Sequence, residues 1–167
     1  MTSASATPSP DPARQLVRHI LATLAYRAAK VLRDAPADFA GFHASETTRT
    51  PAQILAHMGD LMDWALSIVS GKQAWHDSKP LAWPQEVSRF FAAVTALDAY
   101  LASEQPLHGD PGKLFQGGLA DALTHTGQLA MLRRMAGCPV RGENYYLARI
   151  EAGRVGLDQA APAREFD

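Results

Sequence analysis

The stretch LADALTHTGQLAMLRRMAG, residues 119–137, decides how the chain is read. It has helical composition, and Gly137 is a good C-terminal stop. Leu114, Gly118, Asp121, His125, Gln128, Leu132 and Met135 recur at spacings of four and three, one continuous face of a helix. That face is expected to point inward. It carries a carboxylate, an imidazole and an amide in successive turns, where apolar side chains belong.

Three further helical patterns lie upstream. The first spans about residues 12–33, with Asp11 as N-cap, Pro12 at the first helical position, and Val17, Ile20, Leu21, Leu24, Ala28 and Val31 on its apolar face. The second opens at Thr50 and Pro51 and stops at Gly71, with Ile54, Met58, Leu61, Ala65 and Ile68 inward. The third covers about residues 84–103, with Val87, Phe90, Phe91, Val94, Leu97 and Leu101 on one side. The fourth is expected over residues 113–136. After it, ENYYLARIEAG (residues 143–153) suits a short helix, and the tail reads as irregular. Strand-like alternation of comparable length is absent. The fold class is therefore all-α: a four-helix bundle with a short irregular C-terminal extension.

Composition sets the outer bounds. The 167 residues suit one domain, and 47% hydrophobic content can supply a core. Residues 1–10, rich in Ser, Pro and Ala, read as a disordered lead-in without a secretory signal, and 11–167 as the single domain. The net charge of -1 offers no basic surface for nucleic acid or an anionic membrane. No apolar run is long enough to span a bilayer. One cysteine, Cys138, excludes an internal disulfide and a Cys-rich zinc site, and is compatible with a reducing cytoplasm. Neither a phosphate-binding glycine loop nor a serine-hydrolase motif is present.

The polar face carries the chemistry. A buried charge must be paired or bind a metal. Asp121 and His125, four apart, stand one above the other on a helix, an arrangement that serves a salt bridge, a hydrogen bond or a shared cation. His57, beside the inward stripe of the second helix, can supply a third ligand from a facing helix. Two imidazoles and one carboxylate suit zinc, nickel or ferrous iron and leave a position for water or substrate. Gln128 is read as a hydrogen-bond partner to a ligand or a packing residue, and not as a ligand. Asp60, one turn past His57, could orient it but is read as a solvated helix residue. Gly117, Gly118 and Gly127 each cost about 1 kcal/mol inside a helix, which points to a close neighbour, either another helix or a ligand. Arg133 and Arg134 are assigned to helix-end electrostatics ahead of anion binding, Cys138 to a small residue at a helix end ahead of a Cys–His nucleophile, and His19, His43, His76 and His108 to loops or surface. Trp64, Trp75, Trp83, Tyr145 and Tyr146 are core and lid candidates.

Two motifs carry a resemblance. TPAQILAHMGDLMDW (residues 50–64) and DALTHTGQLAMLRRMAG (residues 121–137) resemble the second and fourth helices of the DinB-like superfamily, which includes bacillithiol transferases and the mycothiol-dependent maleylpyruvate isomerase domain. The resemblance implies a four-helix bundle, often a homodimer, with a divalent metal on His57, Asp121 and His125. Asp121 stands where most members have histidine, which makes the site harder and more negative. It further implies a cytoplasmic enzyme in which a low-molecular-weight thiol, activated at the metal, attacks a small electrophilic substrate. A non-catalytic, stress-associated metal-binding protein of the same fold is the alternative.

Overall fold

A computed structural model describes residues 11–166; the expected lead-in at residues 1–10 lies outside them. The described residues form a mostly helical chain with four long helical segments. Helix α1 spans Pro12–Leu32, α2 Pro51–Val69 and α3 Trp83–Ala102. The fourth, α4, is a composite: an α-helical turn at Pro111–Leu114, a π-helical turn at Phe115–Leu119, and an α-helix at Ala120–Met135.

Local sequence explains where these helices begin. The Asp11 carboxylate accepts the Ala13 amide at 2.9 Å, ahead of Pro12. Thr50 and Gln53 form a reciprocal capping box: the Gln53 amide donates to Thr50 Oγ1, and the Thr50 amide donates to Gln53 Oε1. Asp110 accepts the Lys113 amide and starts α4 two residues before the expected position.

Packing follows the apolar faces. Helix α2 lies against α3 and α4, and α1 lies against the same two. Leu21, Leu24, Leu55, Met58, Phe90, Leu97 and Leu129 are fully buried between them. Each such side chain contributes about 1.5–3 kcal/mol by leaving water. The connection from α1 to α2 adds a 3₁₀ turn at Ala37–Gly41 that inserts Phe39 into this core, edge-on to Trp83 at 5.7 Å.

The segment after α4 departs from expectation. No helix forms over residues 143–153; the only helical piece is a 3₁₀ turn at Tyr145–Leu147. Tyr146 and Leu147 are exposed, so a helix there would have no core to bury a face against. Instead β1 (Gly142–Glu143) pairs antiparallel with β2 (Glu165–Phe166), Glu143 opposite Glu165. Two carboxylates facing each other would repel, but Lys30 Nζ donates to both, at 2.8 and 2.6 Å, and Tyr26 Oη donates to Glu143 at 2.7 Å. The C-terminal segment is thereby tied to α1. Burial first, then the bond to Glu143, pushes the Tyr26 pKa well above its ordinary value. Burial opposes the Lys30 charge, but its two carboxylate bonds outweigh that and raise its pKa too.

Candidate metal centre

The face that carries Asp121, His125 and Gln128 does not point straight inward. The π-helical turn adds a residue, so Leu114 and Leu119 are both buried although five apart. One extra residue rotates everything downstream by about 100°. The inward line beyond it is Leu119, Ala122, Thr126, Leu129 and Leu132. Asp121 and His125 are displaced to the flank, half-buried, while Gln128 and Met135 are exposed. The expectation of polar residues in the core stripe is thus corrected: they border the core and open to solvent.

At that border α2 meets α4. His57 Nε2 lies 3.4 Å from Asp121 Oδ2, and His125 Nε2 lies 3.5 Å from Asp121 Oδ1. The imidazole rings stand perpendicular, 5.0 Å apart. One ligand atom from each residue falls within 4.8 Å of the other two. His125 Nδ1 is 2.8 Å from Gln128 Oε1; donation to that oxygen leaves Nε2 as the basic nitrogen aimed at Asp121. The three residues singled out in the sequence are therefore brought together, and Gln128 is a hydrogen-bond partner of His125.

The surroundings are closed on one side and open on the other. The Asp121 side chain is 45% exposed, His57 23% and His125 12%. Trp75, on the loop after α2, stacks edge-on to His57 at 5.8 Å, and Trp64 backs Trp75 at 6.1 Å. Of the five aromatic candidates, these two wall the site; Trp83 packs on Phe39, and Tyr145 lies under the Arg27 guanidinium at 4.1 Å. Gly118 permits the approach of α2: a Cβ there would sit 3.3 Å from Leu61 O. Gly117 faces Trp64, whereas a Cβ at Gly127 would meet nothing within 4 Å.

Asp60 does something else than expected. It is buried and turned away from solvent, accepting the Ser78 amide at 2.8 Å and Arg89 Nη1 at 3.0 Å. Burial works to raise its pKa, but these donors outweigh it and hold the carboxyl below its ordinary value. His76 bridges Asp60 (3.2 Å) and Asp63 (3.3 Å). Asp60, Asp63 and His76 make a second group with metal-ligand spacing. Here Arg89 Nη1 already supplies the cation, 3.0 Å from Asp60 and 3.7 Å from Asp63, with Glu86 holding its Nε at 2.7 Å. This network pins the loop that carries Trp75. The Asp60–Asp63 and Glu86–Arg89 spacings of three were visible in the sequence; that a loop histidine would join them was not.

The remaining candidates are structural. Arg133 is buried and donates to the carbonyls of Val31, Arg33 and Cys138 at 2.8–2.9 Å. It does serve a helix end, but that of α1 as well as its own. Cys138 is half-buried at the end of α4, and His19, His43 and His108 are exposed. No helix among the described residues is long and apolar enough to cross a membrane.

The fold is mostly helical, and among the described residues two groups of His and Asp have the spacing that could hold a metal ion. Comparison with known proteins adds no identification: no family model, no curated protein and no solved structure matches this chain.

Proposed function

We propose that the chain is a four-helix bundle of the DinB-like kind in which His57, Asp121 and His125 hold one divalent cation, zinc, nickel or ferrous iron, and that the site activates a small thiol for transfer to an electrophile. One observation carries the reading. Each Nε2 sits 3.4–3.5 Å from its own oxygen of Asp121, His57 from Oδ2 and His125 from Oδ1, and one ligand atom of each residue lies within 4.8 Å of the other two. Charge-assisted hydrogen bonds are shorter, about 2.7–2.9 Å. Ligands about 2.0–2.2 Å from a tetrahedral metal are separated by ~3.3–3.6 Å, an edge of that tetrahedron. The donor set matches in chemistry as well: two neutral imidazoles and one anion suit a divalent ion.

A metal there would lower the pKa of a bound thiol and supply thiolate at neutral pH. The chain's own residues would do the rest. Gln128 would hold the His125 tautomer, Trp75 backed by Trp64 would pack against the His57 ring, and the exposed flank of Asp121 would leave an approach for ligand.

The test begins with metal analysis of protein purified without a histidine tag or chelator. Stoichiometric metal in the native chain, lost in His125→Ala, is expected. Cobalt-substituted protein should then show a sulfur-to-metal charge-transfer band on adding a small thiol, and conjugate a haloarene or epoxide. A metal inert to every thiol and electrophile would leave the non-catalytic binding protein; equal metal in both proteins would remove the centre itself.

A further inference from the structure

A cavity of about 620 Å³ opens beside His125. That volume lies within the range of small-molecule sites, roughly 300–1,000 Å³. Ile54 and Leu132 form its floor, and Met131 and Met135, four apart on α4, flank its mouth. Both methionines are more than half exposed. Two adaptable apolar side chains at the rim of a hydrophobic cavity are suited to close on a ligand.

The charge in this cavity is one-sided. Arg49 lines it, and no acidic residue does. Arg49 makes no ion pair with any described residue. Its backbone is held from both ends. Upstream, the Ser45 amide donates to Thr48 Oγ1 at 3.1 Å, and that hydroxyl donates to Ser45 O at 2.9 Å. Downstream, Thr50 and Gln53 form the capping box. The Thr48 hydroxyl is thereby spent, and Gln128 Oε1 is engaged by His125. The exposed Arg49 guanidinium is the one permanently charged group in the lining, and it wants an anion.

We propose that this cavity binds an apolar monoanion: a hydrocarbon or aromatic body over Ile54, Leu132, Met131 and Met135, with an acid group paired to Arg49. As the co-substrate of the proposed centre, such a molecule would lie next to His125. That role rests on the metal reading; the binding itself does not.

The experiment uses two fluorescent probes of similar shape on the full chain, anilinonaphthalene sulfonate and its uncharged analogue N-phenylnaphthylamine. The sulfonate binds one per chain and is displaced by decanoate in preference to decanol. Arg49→Gln weakens the sulfonate about tenfold and leaves the neutral probe within about twofold. Met131→Gln with Met135→Gln weakens both probes. The proposal is overturned if the sulfonate shows no stoichiometric binding, if Arg49→Gln affects both probes equally, or if sedimentation shows a dimer that buries this cavity against a second copy. Asp121→Asn, which does not line the cavity, separates the two readings. If no metal binds but the sulfonate still depends on Arg49, the metal centre fails and the cavity stands; if zinc binds and neither probe does, the cavity fails and the centre stands.

Discussion

Replacing Asp121 by Asn tests the centre with the least structural damage. The two side chains are nearly isosteric, and Asp121 is 45% exposed, so no buried cavity or stranded charge is created. Without metal the variant should unfold within about 0.5 kcal/mol of the native chain. With metal the two should separate. Zinc at about a hundred times its dissociation constant stabilises the native state by about 2.7 kcal/mol. For a chain of this size 1 kcal/mol moves the midpoint by about 2–4 °C, so zinc should raise Tm by about 5–11 °C. Asp121→Asn and His125→Ala should lose that rise, since each removes a ligand. His108→Ala, at an exposed residue outside the triad, should keep it. So should His76→Ala if Arg89 already neutralises the Asp60–Asp63 pair. The measurement is differential scanning calorimetry with zinc and with chelator. An undiminished rise in Asp121→Asn, or one abolished by His76→Ala and spared by His125→Ala, would refute the assignment.

Other consequences can be checked by urea unfolding. Arg133→Met should cost about 3 kcal/mol, because the carbonyls of Val31, Arg33 and Cys138 lose their donor at about 1 kcal/mol each; a loss below 1 kcal/mol would show that water replaces the guanidinium. The two helix glycines should respond with opposite signs. Gly127→Ala, with open space around it, should gain about 1 kcal/mol, whereas Gly118→Ala should lose about 1 kcal/mol net as its Cβ presses on Leu61 O. Tyr26 and Lys30 both have raised folded-state pKa values, so their stabilisation is complete below their ordinary values, 10.0 and 10.5, and is lost as pH rises through the higher folded ones. Stability should therefore fall as pH climbs above about 10, and less steeply in Tyr26→Phe; identical slopes would contradict the Tyr26–Glu143 contact.

Short-range physics was legible along the chain. Asp11 with Pro12, and Thr50 with Pro51 and Gln53, are local caps whose partners lie within three residues, so sequence alone placed those helix starts. The apolar faces of α1, α2 and α3 were readable for the same reason, since period and hydrophobicity are properties of contiguous residues. The His57, Asp121 and His125 grouping was also anticipated, because facing helices of similar length bring such positions into reach.

What needed tertiary structure was everything set by a partner far along the chain. The π turn at Phe115–Leu119 moved Asp121 and His125 from core to flank, and nothing in a regular period announces one inserted residue. Asp60 changed from an expected surface carboxylate to a buried one because Arg89 and the Ser78 amide, on elements packed against α2, reach it. The C-terminal strand pair formed where a helix was expected because Lys30, more than a hundred residues earlier, accepts two carboxylates as neighbours. Periodicity and capping depend on residues a few positions apart, so sequence alone determined where α1 and α2 begin and which faces of α1, α2 and α3 are apolar. Burial, charge pairing and the walls of a cavity depend on which distant side chains arrive together, and only the folded chain decided those.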